Sequence, residues 1–117
     1  MLGATNIRWV AKEGLTPGWD IEYNNAGGEL IAVEVKGTTD SAFLNIELTD
    51  GEWKAAGVMG KHYWLFLVAQ CCGAAPQIFR LQNPARFVQL GKAQVVPVTY
   101  PLLYGCAQLN RTPRCVA

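Results

Sequence analysis

The sequence predicts an α/β domain in which short strands and one or two short helices share a single hydrophobic core. Three observations carry this. Segments such as Trp19-Asp20-Ile21-Glu22-Tyr23 alternate strictly between apolar and acidic residues, the period of a half-buried strand. Thr49-Asp50-Gly51-Glu52 has the Thr-x-x-Glu spacing of a capping box, in which side chain and backbone at a helix start satisfy each other. The length, 117 residues with half of them hydrophobic and 16% charged, supports one core and falls short of two.

The elements follow in order. Ile7 to Ala11 reads as a short strand, with Arg8 and Val10 opposed to Trp9 and Ala11. Glu13 to Gly18, which includes Gly14 and Pro17, is turn chemistry. Trp19 to Tyr23 is the next strand, Asn24 to Gly28 a hairpin loop of residues that tolerate positive φ, and Leu30 to Val35 the returning strand. Gly27-Gly28 is a turn and not a phosphate loop, since no helix start follows it. Gly37 to Ser41 breaks the pattern, and Phe43 to Leu48 alternates as a further strand. The capping box opens a helix from about Asp50 to Met59, with Trp53 and Ala56 inward and Gly60 as a left-handed stop. Tyr63 to Ala69 is apolar throughout and reads as a buried central strand, Gln77 to Leu81 as another. Pro84 suits the first position of a helical turn. Ala93 to Val98 is β-branched, with Pro97 suggesting a sheet edge, and 109–117 reads as a loosely held tail of the single domain 1–117.

Composition excludes some classes. No apolar run reaches membrane-spanning length, and Met1 to Val10 lacks the basic-then-apolar pattern of a secretory signal, so a cytoplasmic protein is expected. Adjacent Cys71 and Cys72 project to opposite sides of an extended chain, and with one histidine, His62, no Cys/His metal site assembles; buried or idle thiols are the expectation for these and for Cys106 and Cys115, with one stapling disulfide left open for an exported protein. His62 has no neighbouring nucleophile and reads as structural. Trp53, Tyr63, Trp64 and Phe66 read as core rather than as base-stacking groups.

The net charge of +1 hides an uneven distribution. All nine acids fall at or before Glu52, with three bases among them; beyond lie seven bases and no acid. Such a split suits a carboxylate site beside a phosphate-attracting surface, for which Arg80, Arg86 and Lys92 are the candidate nucleic-acid contacts. It equally suits two halves of one fold, or two copies, attracting each other.

Glu34 and Lys36 stand two apart on one strand, so both emerge on the same face, interrupting an apolar run. Pairing Tyr23 with Glu29 across the hairpin puts Asp20 on that face, opposite Ala32 and diagonal to Glu34. Two neighbouring carboxylates repel unless a cation joins them, and hard oxygen ligands suit Mg²⁺ or Mn²⁺. Such an ion activates water and stabilises charge on a phosphodiester, while an adjacent lysine orients or deprotonates the water or neutralises the developing charge. The plain alternative is a solvated Glu–Lys pair on a strand.

Gly18-Trp19-Asp20-Ile21 followed by Val33-Glu34-Val35-Lys36-Gly37 resembles the Asp…Glu-x-Lys signature of the PD-(D/E)xK nuclease superfamily. The resemblance is closer to one branch, the domain at the C-terminus of the plant protein NO VEIN, which also occurs in bacterial defence and restriction proteins. It continues through Phe43, Leu48-Thr49, Glu52-Trp53, Ala55-Ala56, Tyr63-Trp64-Leu65-Phe66 and Pro76-x-Ile78, over about residues 7 to 88. It implies a mixed sheet with flanking helices, a restriction-endonuclease-like core, and a metal-dependent catalytic site of Asp20, Glu34 and Lys36, with Asp20 and Glu34 holding Mg²⁺ or Mn²⁺. Two departures stand out. The family's usual helix before the first strand is missing, although Glu13 stands where a substitute for its acid would be sought, and the stretch after Leu90 aligns with nothing. Without that helix one sheet face is left bare, which predicts a homodimer. The first expectation is therefore an Mg-dependent nuclease-like domain cleaving DNA, in a defence or mobile-element context. The alternative is a catalytically inactive homodimeric interaction or nucleic-acid-binding module on the same fold.

Overall fold

The computed structural model describes residues 3–96. It contains strands β1 (Thr5–Trp9), β2 (Ile21–Asn24) and β3 (Leu30–Gly37), helix α1 (Asp50–Met59), strands β4 (Tyr63–Ala69) and β5 (Gln77–Gln82), and helix α2 (Pro84–Gln89). The five strands form one sheet in the order β1-β2-β3-β4-β5. Every neighbouring pair is antiparallel except β3 and β4, which run parallel with α1 in the connection between them. The fold is thus a small mixed sheet with two short helices.

The hairpin of β2 and β3 turns on Asn25, whose Oδ1 accepts from the amides of Gly27 (3.0 Å) and Glu29 (2.9 Å), while Gly28 takes the positive φ of +79° that the turn needs. β3 begins at Leu30 as expected, while β2 runs one residue further into the turn, to Asn24, and starts only at Ile21. Tyr23 pairs with Ile31, and Glu22, not Asp20, lies opposite Ala32. The shift is two residues, so the assignment of residues to faces survives it.

Directly paired residues share a sheet face. One face therefore carries Ala32, Glu34 and Lys36 of β3 with Tyr63, Leu65 and Leu67 of β4. The buried core of Ala32, Ala55, Ala56, Tyr63 and Leu65 sits between this face and α1, flanked by Trp19, Ile46, Leu48, Trp53, Met59 and Leu81. The other face carries Trp9, Ile21, Val33, Val35, Trp64, Phe66 and Ile78, and contributes nothing to that cluster. Trp9 is 59%, Ile78 51% and Val35 36% exposed there.

The capping box at α1 is complete: Thr49 Oγ1 accepts from the amide of Glu52, and Glu52 Oε1 accepts from that of Thr49. Gly60 ends the helix at φ 56°, but its ψ of −123° lies outside the left-handed helical region expected of it. Asn83 caps α2 with Pro84 at its start.

Several expectations are corrected. The first strand ends at Trp9 instead of Ala11, because the chain already turns back from Val10 to Leu15 through amide bonds such as Glu13 to Val10 (3.1 Å). Phe43 to Leu48 is no strand; Ile46 and Leu48 rest on the core, which produces the alternation, but no neighbouring strand offers hydrogen bonds. Of Ala93 to Val98, the residues up to Val96 form no strand, and the rest lies outside the described residues, as do the tail and Cys106 and Cys115. Cys71 and Cys72 are free and exposed, which fits idle thiols, but they sit in a turn with their sulfurs 4.0 Å apart instead of projecting to opposite sides. Trp53 and Tyr63 belong to the core or its flank, whereas Trp64 and Phe66 lie half-buried on the opposite face, edge to face at 6.4 Å.

Candidate functional site

β3 runs through the middle of the sheet, so the polar side chains it turns toward α1 are pressed into a crowded, dry space. Glu34 pairs in register with Leu65 and Lys36 with Leu67, and the Glu34 side chain keeps only 4% of its exposure. A carboxylate there needs partners. Lys36 supplies one, its Nζ lying 3.1 Å from Glu34 Oε2.

Asp20 stands just ahead of β2. Its amide donates to Val33 O at 3.0 Å, and its Oδ2 accepts from the Val35 amide at 2.9 Å. A side-chain oxygen that takes up a ladder amide must lie near the plane of the sheet. The carboxylate therefore borders both faces: its charge acts on Glu34 and Tyr63 on one side, and it lines an apolar hollow with Trp9, Ile21 and Val35 on the other. Glu22, which the register places opposite Ala32, is committed elsewhere, accepting from Trp19 Nε1 at 3.1 Å and facing Arg8 at 3.7 Å.

A further residue joins the site. Glu52 reaches from the first turn of α1 and places Oε1 2.8 Å from Lys36 Nζ. That same oxygen closes the capping box. The Glu52 side chain is only 16% exposed, well removed from the solvated position of an ordinary capping residue. Its capping role was readable from Thr-x-x-Glu, but its reach to Lys36 depends on where the helix start docks against β3.

The electrostatics follow from this company. Burial raises the proton affinity of Glu34, its hydrogen bond to Glu52 and the charges of Asp20 and Glu52 add to the effect, and Lys36 opposes it; the result is a carboxyl pushed up to about 8. Burial also raises the pKa of Glu52, but bonds from Lys36 and the Thr49 amide outweigh it and bring the group below the usual glutamate range. For Lys36, burial disfavours the charge, and the carboxylates of Glu52 and Glu34 more than restore it, so the pKa rises. The Tyr63 phenol, buried and near three carboxylates, is also raised; it donates to Gly18 O at 2.7 Å.

Lys36 further opens onto a cleft of ≈330 Å³ whose wall includes Gly37, Thr38, Phe43, Asn45, Ile46 and Glu47. Among the described residues no three His, Cys, Asp or Glu side chains are grouped to hold one metal ion. The donor set nonetheless suits a hard cation, since Mg²⁺ is commonly held by one or two carboxylates with waters and substrate phosphate completing its shell.

The other candidates lie apart. Arg80 is on the face opposite Glu34, its guanidinium 5.3 Å from the Phe66 ring centroid. Arg86 is exposed on α2 and Lys92 exposed beyond it. His62 pairs with Glu29 at 2.9 Å, and Glu13 with Arg8 at 2.9 Å, so neither Glu13 nor His62 joins the charges acting on Glu34.

The model of the family described as "Protein NO VEIN, C-terminal" matches residues 2–81, and the chain belongs to that family. The matched stretch contains Asp20, Glu34, Lys36 and Glu52 and runs from β1 into β5. Neither the curated proteins nor the solved structures give a match.

Proposed function

We propose that the sheet and α1 form a restriction-endonuclease-like core of the PD-(D/E)xK kind, and that the chain is an Mg²⁺-dependent nuclease-like domain acting on DNA. The observation that carries this reading is buried Glu34 under the charges of Asp20 and Glu52, with the Lys36 ammonium bonded to Glu34 and Glu52 as its cationic partner. Glu34 is buried short of positive charge, and burial with the neighbouring acids favours a proton on it. A divalent cation is the natural substitute for that proton.

Asp20 and Glu34 would hold the Mg²⁺ or Mn²⁺ ion, which supplies Lewis-acid polarisation of the phosphate and activation of water. Lys36 works as a cation. Its raised proton affinity suits orienting the attacking water or neutralising charge as the phosphodiester opens, and argues against service as a base. Arg80, Arg86 and Lys92 attract the polyanion; the described ion pairs that cross from the acidic to the basic stretch are Lys54–Asp50 and His62–Glu29, and none uses these three cations. Incubation with supercoiled plasmid and Mg²⁺ or Mn²⁺ tests the reading: nicking by the native chain, abolished in Glu34→Gln and Lys36→Ala, is expected, and a metal-independent or mutant-insensitive trace would end it.

The apolar face of Trp9, Val35 and Ile78 favours a second reading, a catalytically inactive homodimeric module on the same fold that binds a partner or nucleic acid. Dimer formation without metal binding is its mark. No helix among the described residues is long and apolar enough to cross a membrane, and we place the protein's work in the cytoplasm.

A further inference from the structure

Glu52 does two jobs with one oxygen. Its Oε1 accepts from the Thr49 amide at 2.9 Å, which fixes the carboxylate to the start of α1, and stands 2.8 Å from Lys36 Nζ, closer than Glu34 at 3.1 Å. A capping glutamate needs only the first contact and is ordinarily left in solvent. Here the side chain is 16% exposed and hydrogen-bonded toward Glu34 as well. A lysine has four rotatable bonds and samples many rotamers when unpaired, so its placement depends on what grips the ammonium. Glu34 alone cannot fix Nζ, because the Glu34 carboxylate would be shared with any cation bound at Asp20. The other described acidic side chains in the site offer no alternative anchor: Asp20 is bonded to Val35, and Glu22 to Trp19 and Arg8.

We propose that Glu52 is a positioning residue that anchors the Lys36 ammonium from the N-terminus of α1 and so keeps it in place when Glu34 turns to a cation. The proposal rests on the nuclease reading for its purpose, but the anchoring itself does not depend on it.

The experiment compares E52A, E52Q and T49A in the full chain. E52A and T49A each break one half of the capping box, while only E52A removes the anchor from Lys36. Lysine ¹⁵N–¹H correlation spectra, with the Lys36 signal assigned by its absence in K36A, read the ammonium directly without metal or substrate. An ammonium gripped by the Glu52 carboxylate and by Glu34 in a largely buried site exchanges slowly and gives a signal. That signal is expected in the native chain and in T49A, lost in E52A, and broadened by faster exchange in E52Q, which keeps an acceptor for the Thr49 amide but not the charge. Retention of a native-like signal in E52A or E52Q, its absence in the native chain, or its loss in T49A would overturn the proposal. Plasmid nicking is measured on the same samples, where E52A is expected to lower the rate about 10- to 100-fold, the usual cost of losing a residue that orients an active group. A native chain that neither binds Mg²⁺ nor nicks defeats the nuclease reading, and the spectra still decide the anchoring.

Discussion

Glu34 is a carboxyl group enclosed by protein on nearly every side, and its chemistry is set by the three charged side chains it meets. Burial, the Glu52 hydrogen bond and the charges of Asp20 and Glu52 raise its pKa to about 8 in the folded chain, against an ordinary glutamate value of 4.5 when unfolded. The folded state therefore binds this proton more tightly than the unfolded state does. The resulting stability is fully present below pH 4.5 and is lost progressively as pH rises through about 8. Glu52 works in the opposite sense, but its lowered pKa confines its loss of stability to acid below the usual glutamate range. Metal-free protein is thus expected to melt at lower temperature at pH 9 than at pH 6, and Glu34→Gln to flatten that slope; thermal scans across this range read both, and a native slope unchanged by the substitution would contradict the account. Glu34 and Lys36 were legible in the sequence because a strand alternates faces with a fixed period of two. Asp20 was legible as a neighbour of Glu34 but not in its placement between the two faces. Its bond to the Val35 amide depends on β2 starting two residues later than expected, at Ile21, which no local pattern marks.

Elements closed by local chemistry were read well. Helix α1 runs from Asp50 to Met59 as its capping box and following glycine require, and β4 coincides with the apolar run Tyr63 to Ala69. Removing the Thr49 hydroxyl with Thr49→Ala should cost about 1 kcal/mol, measurable as a lower denaturant midpoint with unchanged slope. Elements defined by distant partners were read poorly. Phe43 to Leu48 alternates because Ile46 and Leu48 find the core, and alternation alone cannot say whether a strand lies alongside. The loop before β2 holds a constraint of this long-range kind at Gly18. Its φ is +109°, a Cβ there would stand 2.7 Å from that of Ala55 and 2.9 Å from Gly51 O, and its carbonyl accepts the Tyr63 hydroxyl. Gly18→Ala combines backbone strain with a clash against α1 and should cost about 2 kcal/mol or more. A denaturation midpoint close to the native one would show that the loop does not dock on the helix as described.

At the scale of the whole molecule, α1 covers one face of the sheet, while among the described residues the other face buries Val33 but leaves apolar side chains exposed around it. α1, with Trp53, Ala55 and Ala56, covers the face of Glu34 and Lys36, while Trp9, Val35 and Ile78 remain exposed opposite. An apolar sheet face of this kind favours association. Light scattering at micromolar concentration is expected to report a dimer, and Ile78→Lys or Trp9→Lys to shift it to monomer without lowering the melting temperature appreciably; a monomeric native chain would remove the argument for a dimer. The sequence conveyed the mixture of strands and helices and, through its resemblance, the mixed sheet. It could not convey the sheet order, because pairing parallel β3 with β4 is a long-range event spanning α1.

On the proposed reading, buried Glu34 and Asp20 together seat a divalent cation. Calorimetric titration of Mg²⁺ and Mn²⁺ into the native chain, Asp20→Asn and Glu34→Gln, repeated in two buffers of different ionisation enthalpy, tests it most directly. One binding event that releases protons at pH 7 and disappears in both variants is predicted. Absence of binding at millimolar metal, or equal binding by the variants, would contradict it.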